Sequence, residues 1–161
     1  MAKPAPQLRP LKFNSFEDVM ADVENLRDRG YTAHGNWNLA QTCGHLAAWM
    51  TYPMDGFPKP PLLFRPIFWL MKVTVAKRMA RNILRDGFKP GTPTAPQSVP
   101  AADALGDAQA VDHLRSTIER LRSHQGEFFP SPLFGETDFE TLQTVSLKHA
   151  ELHLGFLEPK V

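Results

Sequence analysis

The sequence predicts an all-α protein, a four-helix bundle that forms a single domain over residues 1–161. Apolar residues recur at helical spacing along most of the chain, and no stretch alternates between apolar and polar residues as a half-buried strand does. The 15 prolines are concentrated between the periodic stretches, so they separate helices rather than interrupt them. A chain of 161 residues has the usual size of one domain.

The first helix is predicted to begin at Asn14 or Ser15 and to end at Gly30. Asn14 with Glu17, or Ser15 with Asp18, has the spacing of a reciprocal helix cap, and glycine is the usual residue after a helix. The residues predicted to face the core are Phe16, Val19, Met20, Val23 and Leu26.

The second helix is predicted to begin at Asn38, with Gln41 as its capping partner, and to continue as far as Tyr52 and Pro53. Its predicted core residues are Leu39, Cys43, Leu46, Ala47 and Met50. The segment that follows, residues 60–87, is predicted to be helical in part, with a break before Pro66.

A long extended connection is predicted over residues 89–107, which are rich in proline and poor in large apolar residues. A third main helix follows and ends near Gly126, and its predicted core residues are Ala110, Leu114, Thr117, Ile118 and Leu121. The long crossover between the second and third main helices favours an antiparallel bundle.

The last helix is predicted to open with a capping box at residues 137–140 and to end before Pro159. The residues expected on its inward half are Leu142, Val145, His149, Leu152, His153 and Phe156.

The composition argues against several classes of function. The 18 basic and 17 acidic residues nearly cancel, so no global positive field exists to attract nucleic acid. The apolar runs are far shorter than the roughly 20 residues that cross a bilayer, so we expect no transmembrane span. The first residues lack the apolar stretch of a secretory signal, and Cys43 has no partner for a disulfide, so we expect a cytoplasmic protein.

Three histidines form the candidate metal site. His149 and His153 are four residues apart, so their imidazoles point to the same side of the last helix. His45 lies in the second helix, and the three rings converge if the second and last helices pack side by side. Three neutral imidazoles without a carboxylate suit zinc or nickel and leave positions open for water or a substrate.

Two stretches resemble the DinB-like, or YfiT-like, metal-binding four-helix bundle proteins, in a branch without assigned function. Residues 37–41, followed by His45 and Leu46, are similar to the tryptophan, polar, glutamine and histidine pattern of that family's second helix. Residues 149–155 are similar to its fourth-helix histidine pair. The resemblance extends from about Phe16 to Leu157, whereas residues 60–87 are longer and more apolar than the family pattern.

The resemblance implies an up-up-down-down bundle in which His45, His149 and His153 bind a divalent metal. It also implies a metal-dependent enzyme of transferase or hydrolase type, in which the metal activates water or a low-molecular-weight thiol as the nucleophile. The substrate and the catalytic residues are not specified by the sequence, and a homodimer formed through apolar surface is left open.

Other candidate residues have structural interpretations that we prefer. Gln41 lies one turn before His45 and is interpreted as a capping residue rather than a support for the imidazole. Cys43 points away from the histidines, so we expect a core residue and not a nucleophile. The remaining histidines, His34, His113 and His124, are expected to be solvated. The aromatic residues are expected to form core or pocket walls; these are Trp37, Trp49, Trp69, Phe57, Phe64 and Phe68.

The uneven distribution of charged residues along the sequence indicates a second class of function. Eight basic residues and a single acidic residue lie between Lys59 and Lys89, close to a strongly apolar run. The alternative prediction is therefore a non-catalytic metal- or ligand-binding bundle that docks on an anionic membrane or partner surface through residues 60–87. A solvated helix face explains the same pattern and is the preferred interpretation.

Overall fold

The computed structural model describes residues 8–59, 62, 66, 70, 74–91 and 98–161. In these residues the fold is mostly helical, with one small sheet. The elements are α1 (Phe16–Arg29), β1 (Tyr31–Ala33), α2 (Leu39–Asp55), α3 (Ala76–Asp86), α4 (Asp107–Arg122), α5 (Phe139–Leu154) and β2 (Leu157–Pro159).

The starts of α1 and α2 confirm the predicted caps. The Ser15 hydroxyl accepts from the backbone N–H of Asp18, and the Asp18 carboxylate accepts from the N–H of Ser15. Asn38 and Gln41 form the same reciprocal pair at α2. Each cap satisfies backbone donors that a helix start leaves unpaired, so these short sequence patterns fix both helix starts.

Three helix boundaries differ from the predictions, and one of them is the end of α4 at Arg122 rather than near Gly126. Helix α2 continues past Pro53 to Asp55, because a proline in the last turn removes only one hydrogen bond while the N–H of Gly56 still closes the turn on the Tyr52 carbonyl. At α5, the side chain of Asp138 alone caps the helix by accepting from Thr141, so the expected box over residues 137–140 is not the observed pairing.

One hydrophobic core joins α1, α2, α4 and α5. Helix α2 packs most extensively on α4 and also contacts α5, while α1 contacts α4 and α5, and α3 packs on α5. Every residue predicted to face the core from the first, second and third main helices is buried. The predictions for these three helix faces are therefore confirmed.

The inward face of α5 differs from the prediction. Of the four apolar residues expected there, only Leu142 is buried, whereas Val145, Leu152 and Phe156 are half-buried. The core contacts come instead from Leu147, Ala150 and Leu154. The two histidines of α5 therefore lie beside the core-facing stripe rather than within it.

A two-stranded antiparallel sheet, absent from the sequence prediction, joins the residues that follow α1 to the C-terminal residues. Strand β1 pairs with β2 in the register Tyr31 with Pro159 and Ala33 with Leu157. Three residues are too few to show a period of two, and the partner strand is distant in sequence, so the local pattern gave no signal. The sheet holds the end of α5 close to the end of α1.

The segment between α2 and α4 is described only in part. Helix α3 confirms that residues 60–87 are helical in part, while the predicted break before Pro66 lies outside the residues that allow a test. In the described part of the connection before α4, residues 89–91 and 98–106, there is no α-helix or strand, as predicted. No helix within the described ranges has the length and apolar character that a membrane crossing requires.

Candidate metal centre

Two packed helices carry the three candidate ligands. His45 lies in the middle of α2, and His149 and His153 lie one turn apart near the end of α5. Because α2 and α5 are in contact, the imidazole of α2 reaches the two imidazoles of α5. The cap at Asn38 fixes where α2 begins, and with it the face of the helix on which His45 lies.

The three imidazoles meet through their Nε2 atoms. The Nε2 atom of His149 lies 3.1 Å from that of His45 and 3.0 Å from that of His153. One nitrogen from each ring falls within 4.8 Å of the others, which is the arrangement of a site that could hold a metal ion. The structure therefore brings together all three residues that the sequence analysis selected.

Each of these two distances fits a pair of imidazole ligands on one cation. Two imidazole nitrogens at the usual zinc distance, with ligand angles of 90–110°, lie about 2.9–3.4 Å apart. Hydrogen bonding between the rings is a poorer explanation, because Nε2 has a single in-plane position for a proton or a lone pair. The Nε2 atom of His149 cannot make two separate linear bonds to its two neighbours, so the cluster suits a shared cation better.

Ser98 is a site residue that the sequence analysis missed. Both its backbone carbonyl and its hydroxyl lie 3.1 Å from Nδ1 of His45, and Ser98 is only 2% exposed. Donation from Nδ1 to the carbonyl leaves Nε2 of His45 unprotonated and directed at His149. The sequence gives little indication of this role, because Ser98 belongs to a proline-rich connection that is predicted only to link two helices.

Aromatic rings surround the imidazoles. Trp37 stacks on His153 with ring centroids 4.9 Å apart and lies equally close to His45. Trp49 meets His45 and His149 edge-on, and Phe88 lies 5.0 Å from His149. Trp37 and Trp49 thus wall the site, whereas the predictions for Trp69, Phe64 and Phe68 lie outside the described residues.

The environment keeps all three imidazoles neutral at pH 7. Burial lowers the pKa of His45 to about 4, although the hydrogen bond to the Ser98 carbonyl acts in the opposite direction. Burial, with the nearby His45, lowers the pKa of His153 to about 3. Burial and the two neighbouring imidazoles hold the pKa of His149 well below its ordinary value. Neutral imidazoles are the form that binds a metal, because a proton and a metal compete for the same lone pair.

Two of the remaining candidates behave as the sequence analysis predicted. Gln41 accepts from the backbone N–H of Asn38 as a capping residue, and its amide donates to the carbonyl of Pro100. Cys43 is fully buried in the core, and burial raises the pKa of its thiol to about 12. A thiol in this environment stays protonated and is a poor nucleophile at neutral pH.

The other histidines lie outside the cluster. His34 is exposed and contacts Glu158, and His113 is exposed on α4. His124 is half-buried and stacks on Phe128, so the expectation of a fully solvated ring is wrong for this residue.

The fold and the site define a mostly helical protein with a three-histidine cluster that could hold a metal ion. The chain belongs to the family described as "Protein of unknown function (DUF1569)", which it matches over residues 5–160. Comparison with curated proteins and with solved structures gives no match. The family match does not connect the chain to the DinB-like proteins, so that resemblance stays a prediction.

Proposed function

We propose that the protein binds one divalent metal ion, zinc or nickel, through His45, His149 and His153. The observation that carries this proposal is the convergence of three Nε2 atoms at 3.0 and 3.1 Å. Imidazole is a borderline ligand that suits both metals. The neutral state of the rings and the bond from His45 to Ser98 support the proposal further, because both leave lone pairs available.

We also propose that the fold is a DinB-like four-helix bundle formed by α1, α2, α4 and α5. The common core of these four helices supports it, as does the long connection between the second and third of them. The histidines lie on the second and last of the four, where the resemblance expects them. A cytoplasmic location belongs to the same proposal and is supported by the unpaired Cys43.

The activity that we propose is that of a metal-dependent transferase or hydrolase. A bound divalent ion would lower the pKa of a low-molecular-weight thiol or a water molecule at its open position and so supply the nucleophile. The three imidazoles hold the ion, Ser98 orients His45, and the rings of Trp37 and Trp49 shield the site from bulk water. Because all three imidazoles are neutral ligands, they would leave the positive charge of the ion available to an anionic ligand.

Elemental analysis of the purified protein tests the proposed metal binding. We expect one equivalent of zinc or nickel in purified protein that has been reconstituted and desalted. His149→Ala should lose the metal, because it removes the nitrogen that contacts both other ligands. His113→Ala is the matched control, since that histidine is exposed and outside the cluster. Wild-type protein that retains no metal after reconstitution would contradict the proposal.

Activity is tested separately in the zinc-loaded protein. We expect transfer of a simple thiol to an electrophile, or ester hydrolysis, at a rate above that of free zinc. The rate should disappear with His149→Ala and persist with His113→Ala. A protein that binds zinc but catalyses neither reaction would support a non-catalytic metal-binding bundle instead.

One observation favours a second candidate function, docking on an anionic phospholipid membrane. Lys77, Arg78 and Arg81 are exposed on one side of α3, and in the described part of the chain none of them forms an ion pair. Among the residues of the same region that the structure describes, Leu62, Leu70 and Val75 are exposed apolar residues. A basic helix next to exposed apolar side chains is typical of surfaces that contact anionic lipids.

Vesicle flotation tests this alternative. We expect co-flotation with vesicles that contain phosphatidylserine, no co-flotation with phosphatidylcholine alone, and loss of binding with Lys77→Glu and Arg81→Glu combined. His149→Ala should bind vesicles as well as the wild type, since it lies outside α3. Absence of wild-type protein from the phosphatidylserine fraction would exclude membrane docking.

A further inference from the structure

A short segment from the end of the long connection lies along the first half of α2. We call residues 98–102 the strap. Three of its carbonyls, in alternate residues, accept hydrogen bonds from side chains at the start and in the first half of α2. The bonds run from Asn38 Nδ2 to Ala102 at 3.0 Å, from Gln41 Nε2 to Pro100 at 3.1 Å, and from His45 Nδ1 to Ser98 at 3.1 Å.

The donors have a regular spacing that matches the strap. Asn38, Gln41 and His45 are separated by three and then four residues, so they lie on one side of α2. Each step along the helix meets the next alternate carbonyl of the strap, in the reverse chain direction. The proposed metal ligand His45 therefore makes the last of three aligned contacts. The other two, from Asn38 and Gln41, hold the strap where the Ser98 carbonyl reaches His45.

Gly44 allows the strap to approach α2 closely. A side chain at this position would overlap the ring of Pro100, whose carbonyl is bonded to Gln41. Glycine inside a helix costs about 1 kcal/mol relative to alanine, so helix formation alone would favour alanine here. The glycine is explained by the contact with Pro100, directly before His45 in the sequence.

We propose that the strap is a positioning element of the metal site and that Ser98 is its positioning residue. The Ser98 carbonyl selects the His45 tautomer that carries its proton on Nδ1 and fixes the orientation of the ring. The lone pair of Nε2 is then directed at His149 and His153. This inference rests on the proposed metal site and adds that a segment outside the helices determines its affinity.

Because the contact between Ser98 and His45 is buried, its loss should have a large effect on metal affinity. His45 is 1% exposed and Ser98 is 2% exposed, so water cannot replace a lost partner of Nδ1. If the strap moves away, the proton can shift to Nε2, where it blocks the ligand position. Loss of such a partner weakens metal binding about 10- to 100-fold in known sites.

The test uses a variant that removes one strap contact and keeps the helix cap. In Gln41→Glu the carboxylate still accepts from the backbone N–H of Asn38, but it cannot donate to Pro100 and repels that carbonyl. The matched control is Gln109→Glu, because Gln109 caps α4 in the same way without touching the strap. The added negative charge alone would strengthen metal binding, so a weaker affinity cannot come from charge.

Two measurements read out the result. Long-range ¹⁵N NMR of the metal-free protein should show His45 protonated at Nδ1 in the wild type and in Gln109→Glu, with a mixture of tautomers in Gln41→Glu. Zinc affinity, measured by competition with a chromophoric chelator, should fall about 10-fold or more in Gln41→Glu only. A wild-type His45 protonated at Nε2, or a Gln41→Glu affinity within twofold of the wild type, would overturn the proposal.

A second variant keeps the proposal testable if Gln41→Glu does not fold. Gly44→Ala keeps every polar group but displaces Pro100, so it should change the His45 tautomer and the zinc affinity in the same direction. Helix propensity predicts the opposite, a more stable protein with unchanged affinity. If wild-type protein binds no zinc, the metal site itself fails, whereas the NMR result still decides whether the strap sets the tautomer.

Discussion

The Nε2 atoms of His45 and His149 lie 3.1 Å apart, although 104 residues separate the two histidines. Each ring comes from a different helix, and neither nitrogen carries a proton if both act as ligands. Two lone pairs at this distance repel each other without a cation between them. Metal binding should therefore connect α2 to α5 and stabilise the folded state.

The first prediction is a gain in stability on adding zinc. At a free zinc concentration 1,000 times the dissociation constant, the free energy of unfolding should rise by about 4 kcal/mol relative to protein in chelator. Urea unfolding followed by circular dichroism measures the difference. His149→Ala should show a gain near zero and His113→Ala the full gain, and equal gains in all three proteins would indicate nonspecific binding.

The second prediction concerns the pH dependence of the metal-free protein. The pKa values of His45 and His153 are lowered to about 4 and 3, below the ordinary value near 6.5 that the unfolded chain has. The unfolded state therefore binds more protons below pH 6.5. The free energy of unfolding should be greatest above that pH and should fall as the pH decreases towards 4, by up to about 1.4 kcal/mol per pH unit for each histidine.

His153→Gln provides the comparison for this slope. The variant removes one of the titrating groups, so its stability should fall less steeply between pH 6.5 and 4.5 than that of the wild type. Urea midpoints at half-unit steps, in chelator throughout, measure both slopes. Identical slopes would mean that His153 is protonated in the folded state over this range.

Features whose sequence signal is local could be predicted from the residues alone. The cap of Asn38 with Gln41 spans three residues, and the pair His149 and His153 spans one helical turn, so both could be identified from spacing alone. The approach of His45 to that pair depends on how α2 packs on α5. Periodicity does not specify this packing, and the family resemblance supplied it.

The features that were missed are long-range and lack a repeating pattern. The carbonyl of Ser98 bonds to a residue 53 positions away, and a backbone acceptor leaves no trace in residue type. The strands Tyr31–Ala33 and Leu157–Pro159 are too short to show alternation. On α5, apolar residues occur on more than one side of the helix, so periodicity did not distinguish the buried Leu154 from the half-buried Leu152.

The third prediction is that Cys43 resists alkylation in the native protein. Its side chain is fully buried and its thiol pKa is raised to about 12, so both access and thiolate formation are suppressed. Iodoacetamide at pH 7.5 should label it only at the rate of unfolding, measured by intact mass. An added thiol at an exposed position of α4, Ser116→Cys, should be labelled within minutes, and equally fast labelling of Cys43 would contradict its burial.

The fourth prediction concerns the ion pair that ties the N-terminal segment to the fold. The guanidinium of Arg9 makes two bonds of 2.8 Å to the Asp22 carboxylate and a third, of 3.1 Å, to the Leu154 carbonyl. The two charged side chains are 18% and 13% exposed, so water poorly replaces a lost partner. Arg9→Ala should lower the free energy of unfolding by about 2–3 kcal/mol.

The exposed pair Arg85 with Asp86 is the matched control for this effect. Its side chains are 72% and 44% exposed, so solvent screens the interaction and Arg85→Ala should leave the free energy of unfolding almost unchanged. Arg9→Lys should recover less than half of the loss, because an ammonium cannot make the paired contact to both carboxylate oxygens and still reach the Leu154 carbonyl. Urea unfolding of the three variants compares these values. Equal losses from Arg9→Ala and Arg85→Ala would mean that burial adds nothing to the contact of Arg9. The N-terminal segment would then be held by its other contacts, such as the bonds from the N–H of Arg9 to the Gly155 carbonyl and from the N–H of Phe13 to the Glu151 carboxylate.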